Sequence, residues 1–272
     1  MLNQKLPRKF KNVIITGASQ GIGRALAESF ARRGANLLLV ARNEANLKEV
    51  AASVMKKYPG VQALVCVLDL SLPESAKKLK AFCQEKGFAV DALVNNAGYG
   101  LWGKFAELSL KEQLDCLQVN ATSLVQLTHE FLPLLMESRA KGGAAGVLNV
   151  SSMTAYQAIP TFAIYAASKS FVLSFSRALH HELKPAGVVV TALVPGATES
   201  GFIDRAGMQH TAEKAKKITM TAASVAEIAV KGLENGQIEV IPGGLNLLMA
   251  GVTRLVSKRM LETTAESLYR KQ

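Results

Sequence analysis

The chain has 272 residues, 49% of them hydrophobic, enough to bury a large core as one α/β domain spanning 1–272. Its formal net charge of +11 comes from 32 Lys and Arg against 21 Asp and Glu, but the cations are spread over helical faces with no nucleic-acid motif, so nucleic acid is not an expected partner. Three cysteines (Cys66, Cys83, Cys116) and four scattered histidines lack metal-like or disulfide-framework spacing, so no metal is expected; no signal peptide or membrane span is visible either, which points to the cytoplasm.

Taken in chain order, residues 13–16 form a short apolar run leading into Gly17-Ala18-Ser19-Gln20-Gly21-Ile22-Gly23. Strand, glycine turn and helix in that order suit a phosphate. Gly17 permits the turn, Gly21 lets a pyrophosphate approach backbone N–H groups at the helix N-terminus, and Gly23 allows close packing. Apolar residues at helical intervals follow (Ala25, Leu26, Phe30, Ala31), and Gly34 ends the run. Residues 37–40 read as a buried parallel strand, with Arg42 just past its end where an acidic residue would hold the ribose of NAD(H). Arginine there suits a 2′-phosphate, so NADP(H) is the expected cofactor.

A third strand, 64–70, carries Asp69 at its end, and Ser71-Leu72-Pro73-Glu74 reads as a capping box for the next helix. Residues 92–94 run into Asn95-Asn96-Ala97-Gly98, small and amide residues at a strand's C-terminal end, where ligands bind in such sheets. Ser109 and Glu112 are expected to cap a long helix reaching at least His129 and containing Asn120. Strand 147–150 ends at Ser151-Ser152; strand 188–194 ends at Pro195-Gly196; Ser224 and Glu227 form another capping box; residues 238–241 are a last strand. Alternating strands and helices of this kind indicate a doubly wound, mostly parallel sheet.

After Pro160 comes a helix in which Tyr165 and Lys169 are four residues apart and therefore share a face. A free tyrosine, with a pKa of about 10, is a poor acid–base catalyst near neutrality. A cation roughly 4 Å away at an effective dielectric of about 20 is worth about 4 kcal/mol, enough to bring a phenol toward neutral pH. The pair is a candidate proton donor and acceptor, although the spacing alone is common.

These motifs together give the chain a resemblance, from Val13 to about Pro242, to the short-chain dehydrogenase/reductase family in its compact single-domain form. The resemblance implies a Rossmann-like sheet of seven strands flanked by helices and hydride transfer between nicotinamide and a carbonyl or alcohol substrate. It implies that Tyr165 gives or takes the proton, that Lys169 tunes Tyr165 and binds the nicotinamide ribose, and that Ser152, thirteen residues before Tyr165, donates to the substrate oxygen. Asn120 would hold a relay water. The cofactor would run along Gly17, Ser19, Gln20, Gly21, Ile22, Gly23, Arg42, Asp69, Asn96, Ala97, Gly98, Tyr165, Lys169, Pro195, Gly196 and Thr198. Two positions depart from the family pattern. Gln20 stands where NADP-preferring relatives place a cation, and Ser200 stands where a Thr is common after Pro195-Gly196.

The leading expectation is an NADPH-dependent reductase of an apolar ketone or acyl compound, acting as a homodimer or homotetramer; the alternative is a non-catalytic dinucleotide-binding sensor or scaffold. Residues 198–220 should form a lid and, with Tyr99, Trp102, Tyr156, Phe162, Phe202, Ile203 and Met208, an apolar pocket. The tail, 245–272, is apolar at Leu245, Leu247, Leu248, Met249, Val252, Leu255 and Val256 and basic at Arg254, Lys258, Arg259, Arg270 and Lys271. Packing over the pocket or on a partner subunit is favoured there over binding to a membrane surface.

Overall fold

The computed structural model describes residues 8–209, 219–253 and 255–269. Its centre is a parallel sheet of seven strands: β1 (Asn12–Thr16), β2 (Asn36–Ala41), β3 (Ala63–Val67), β4 (Ala92–Asn95), β5 (Gly146–Val150), β6 (Val189–Leu193) and β9 (Glu239–Val240). Their order across the sheet is β3-β2-β1-β4-β5-β6-β9. A smaller parallel pair joins β7 (Thr198–Glu199) to β8 (Met220–Thr221). Because both faces of the main sheet are covered, its central strands are mostly apolar on both sides. Val13, Ile15, Leu37 and Leu39 point into one buried layer, and Ile14, Leu38 and Val40 into the other, the period-2 alternation of a strand.

The first layer holds α1 (Gly21–Ala31), α2 (Glu44–Lys57) and α8 (Ala222–Glu234); the second holds α3 (Ser75–Glu85), α5 (Ser123–Ala140) and part of α6 (Ala163–Leu183). Strand order reverses between β1 and β4, so the chain leaves those two strands in opposite directions and opens a crevice beyond their C-terminal ends. Gly17 and Asn96 stand at that crevice. The three cysteines are free and buried, and burial pushes their thiols up, to about 11 for Cys66 and Cys116 and about 12 for Cys83.

Helix and strand ends differ from expectation in four places. Strand β3 stops at Val67, short of Asp69, because the Asp69 carboxylate accepts the Ser71 N–H at 2.9 Å and turns the chain out of the sheet. Helix α3 consequently starts at Ser75, with Glu74 and not Ser71 at its cap. Ser109 does occupy the cap position of α4 (Leu110–Leu117) but makes no side-chain cap bond. The true cap of α8 is Thr221, whose hydroxyl accepts the Ser224 N–H at 3.2 Å. Glu227 instead pairs across the layer with Arg33, 2.6 Å away, fastening α1 to α8.

The long helix through Asn120 is interrupted. Between α4 and α5 lies a π-helical turn, Gln118–Thr122, a wider turn of the kind often found at functional sites. Beyond β7 come α7 (Phe202–Arg205), α9 (Gly244–Val252) and α10 (Lys258–Tyr269). Residues 210–218 of the expected lid, and Arg254, Arg270 and Lys271 of the tail, lie outside the described residues.

Candidate active site

One cleft of about 910 Å³ runs from the glycine turn to the side chains of Ser152, Tyr165 and Lys169. At its first end, Gly17 has φ +64°, and a Cβ on it would lie 2.8 Å from Asn96 Nδ2. A Cβ on Gly23 would strike the Gly17 carbonyl oxygen. The turn is held from the neighbouring strand. Asn96 Nδ2 donates to Thr16 O at 2.8 Å and Gly17 O at 3.1 Å, while Thr16 Oγ1 accepts the N–H groups of Asn96 at 3.0 Å and Ala97 at 3.1 Å.

Helix α1 has neither a side-chain cap nor an acidic residue in its first turn. Gln20, Gly21, Ile22 and Gly23 line the cleft there, so the uncapped N–H groups and the positive end of the helix dipole are available to an anion. Exposed Arg42, just past β2, lines the cleft beside Asp69. Burial would raise the Asp69 carboxyl, but the hydrogen bonds from Ser71 and the charge of Arg42 outweigh it and hold it below its ordinary range. An acid and a cation beside an open helix N-terminus fit the ribose and phosphates of a dinucleotide.

At the other end, β5 delivers Ser151 and Ser152 and α6 delivers Tyr165 and Lys169. The Ser151 hydroxyl donates to Lys169 O at 2.7 Å and is spent on positioning. Ser152 Oγ accepts the Thr154 N–H at 3.2 Å and lines the cleft, which makes it the serine oriented for work on a ligand. Tyr165, 7% exposed, stacks on Phe162 with ring centroids 4.4 Å apart and lies 5.2 Å from the ring of Phe202. Lys169 Nζ is 5.7 Å from the Tyr165 ring centroid and donates to Val150 O at 2.9 Å. Burial pushes the Lys169 ammonium down to about 8. Burial also pushes the neighbouring Tyr99 phenol up to about 12, so that phenol stays neutral.

Asn120 is the one expected catalytic or cofactor-binding residue outside the cleft lining. Its amide clasps the Tyr99 backbone, accepting from N at 3.0 Å and donating to O at 2.9 Å, and donates to Ser168 Oγ at 3.1 Å. With those bonds made, its side chain braces the loop after β4 against α6 and is not turned toward the cleft. All the other expected site residues, Ser19, Gly98, Pro195, Gly196 and Thr198 included, line it. Of the expected pocket residues, Tyr99, Phe162, Phe202, Ile203 and Met208 also line it. Tyr156 does not: its hydroxyl donates to Glu239 and its ring packs with Leu173 and Val194. Trp102 packs behind Phe202.

Sequence reasoning gives no site role to Thr16, Asn246, Met249 or Thr253, although it does expect the tail, Met249 included, to pack over the pocket. Thr16 sits before the glycines as the anchor of the turn, a role visible only once β1 and β4 are neighbours. The other three come from α9 and the residue after it, which fold back to wall the cleft.

Residues 11–211 match the family model described as short chain dehydrogenase. The very-long-chain 3-oxoacyl-CoA reductase of Bos taurus is 32% identical over 231 residues, 82% of this chain and 70% of that protein. Among solved structures, the short-chain dehydrogenase from Sphingobium yanoikuyae in complex with NADPH is 28% identical and superposes with a TM-score of 0.76 over 91% of this chain and 97% of that one. The 3-ketoacyl-(acyl-carrier-protein) reductase from Brucella melitensis complexed with NADH is 29% identical, with a TM-score of 0.77 over 87% of this chain and 98% of that one.

Proposed function

The chain belongs to the short-chain dehydrogenase family, oxidoreductases of carbonyl and alcohol groups, and from that premise we propose that it is an NADP(H)-dependent reductase of an apolar ketone or 3-oxoacyl substrate. The observation that carries the reading is a single cleft joining an uncapped helix N-terminus and Arg42 to Ser152, Tyr165 and Lys169. Arg42 supports NADP(H) over NAD(H), since it stands just past the second strand, where a 2′-phosphate would lie and an acid would instead hold the ribose of NAD(H). The 3-oxoacyl class is supported by the activity named for the relatives, and the apolar character by Phe162, Phe202, Ile203, Met208 and Met249 along the cleft.

When bound, the nicotinamide supplies the hydride. The rest falls to the chain. Ser152 Oγ–H donates to the substrate carbonyl oxygen and stabilises the charge that develops on it. The Tyr165 phenol passes its proton to that oxygen as the alcohol forms, and takes it back in the reverse direction. Lys169, held by Val150 O, places a positive charge beside Tyr165 that favours the phenolate left behind and donates to the nicotinamide ribose. Asn120 positions Tyr99 and the α6 backbone around Ser168, keeping Lys169 in register.

In the same reading 1–272 is one domain, 198–220 acts as a lid, and the protein works in the cytoplasm as a homodimer or homotetramer. Exposed Leu110 and Leu114 on α4 and Phe171 on α6 suit such pairing. The test is NADPH oxidation against a panel of 3-oxoacyl thioesters, bulky ketones and small charged carbonyl compounds. Turnover should favour the apolar compounds, and Tyr165→Phe should cut kcat by roughly 10²–10⁴-fold while NADPH binding persists. Turnover confined to small charged substrates would overturn the pocket assignment. A Tyr165→Phe protein with unchanged turnover would leave only a dinucleotide-binding scaffold.

A further inference from the structure

Helix α9 (Gly244–Val252) is built inside out for a helix in water. Its inner positions, at i, i+4 and i+7, are Asn246, Ala250 and Thr253; Ala250 is 3% exposed, and Asn246 and Thr253 line the cleft. Its outer face carries Leu245, Leu247 and Leu248, which are 53%, 60% and 63% exposed, and the chain beyond it adds Leu255 at 88%. A surface helix ordinarily turns its polar side outward, and a contiguous apolar patch marks a contact surface.

The rim of the patch identifies the occupant. No residue of α9 is charged, whereas exposed Lys258 and Arg259 follow it and exposed Arg205 stands at the edge of the same cleft. The acids of α10, Glu262 and Glu266, begin a turn further on. Exposed leucines followed by cations complement acyl chains beneath anionic headgroups. Two copies meeting through this patch about a two-fold axis would instead bring their cationic rims together. At nine residues the helix is far too short to span a bilayer, so it would lie in the interface plane.

We infer that the outer face of α9 docks the protein on an anionic membrane surface, with the cleft that α9 walls opening toward the lipid. An apolar substrate dissolved in that membrane then reaches Tyr165 past Met249 and Thr253 without crossing water. The sequence favours packing of the tail over the pocket or on a partner subunit, and the inner side of α9 does wall the pocket; its outward leucines are assigned to a membrane instead of a subunit. The docking does not depend on which carbonyl compound is reduced.

Flotation of the full chain with phosphatidylcholine vesicles, with and without phosphatidylglycerol, tests it. The protein should float with the phosphatidylglycerol vesicles and stay behind with phosphatidylcholine alone. The double variant Leu245→Glu/Leu248→Glu should lose at least about tenfold in partitioning, and Lys258→Ala/Arg259→Ala roughly ten- to thirtyfold, both with unchanged Tm because these side chains are exposed. Three results would overturn the proposal: wild type failing to float with phosphatidylglycerol vesicles, the double leucine variant floating as well as wild type, or sedimentation velocity showing self-association that the leucine variant abolishes without any flotation. All of these readouts are independent of turnover.

Discussion

At the glycine-turn end of the cleft, side chains grip backbone: Thr16 and Asn96 tie β1 to the loop after β4 through four hydrogen bonds. At the substrate end, beyond Ser152, aromatic and aliphatic side chains touch one another: Phe162 stacks on Tyr165, Phe202 meets both at a tilt, and Ile159, Ala206, Met208 and Ala265 pack around them. Directional bonds to backbone fix one geometry, whereas apolar contacts are non-directional and accept alternative packings at modest cost. A cofactor common to a family calls for the first construction. Substrates that differ between its members can be served by changing the second.

Substitutions should therefore behave differently at the two ends. The largest effect is expected at Gly23→Ala, whose new methyl meets the Gly17 carbonyl oxygen, a backbone atom that cannot swing aside. It should cost about 3 kcal/mol in urea unfolding and abolish measurable NADPH binding; a variant that still binds would show that the turn is softer than its hydrogen bonds suggest. Next comes Arg42→Ala, expected to weaken NADPH binding by about 1.5–3 kcal/mol, roughly ten- to hundredfold, with NADH affinity unchanged in titration. Equal losses for both cofactors would move the 2′-phosphate contact elsewhere.

Lys169 offers a test through pH. Its folded-state pKa is lowered, to about 8 from 10.5, so the folded protein sheds this proton before the unfolded chain does. The burial penalty is therefore at its fullest below about pH 8 and is relieved as pH rises toward 10.5. Lys169→Met removes the penalty at neutral pH and gains nothing where it has already gone. Its stability relative to wild type should fall by about 2 kcal/mol between about pH 7 and about pH 9.5. A pH-independent difference would mean that the Val150 carbonyl and its surroundings solvate the ammonium fully. The smallest effect is expected at Phe202→Ala, about 1 kcal/mol in kcat/KM for apolar substrates and none for a small ketone, consistent with a replaceable contact.

The difference between the ends also governs what could be read from the chain. The cofactor end is local in sequence: Gly17 to Gly23 is a strand-turn-helix unit whose residue types follow from the backbone they must adopt. Tyr165 and Lys169 are one helical turn apart and could be paired before any fold was known. Asn120 could be picked out, but its clasp on Tyr99 could not, because that depends on where the loop after β4 passes the π turn. The walls of the substrate end come from α7 and α9, forty to eighty residues beyond Tyr165 along the chain, and no periodicity in the tail announces that its polar side faces a cleft. Caps were misjudged for a related reason. Ser224 and Glu227 have capping-box spacing, but Glu227 is taken by Arg33 from the turn after α1, a contact that only tertiary packing creates.

Behind the cleft, Asn95 donates to Thr128 at 3.1 Å and to Asn149 at 2.9 Å, and Asn149 donates to Ser176 at 2.9 Å, all of them buried. That row crosses β4, β5, α5 and α6. Changing Asn149 alone to leucine would leave one Asn95 N–H without its acceptor, at about 1–3 kcal/mol, while the Ser176 hydroxyl keeps its bond to the Val172 carbonyl at 2.6 Å; replacing several members together could be nearly neutral. Mutational paths through these positions are thus blocked one step at a time and open only as a block. A library that varies them singly would report each as essential, and one that varies them jointly would recover apolar solutions the first could never reach.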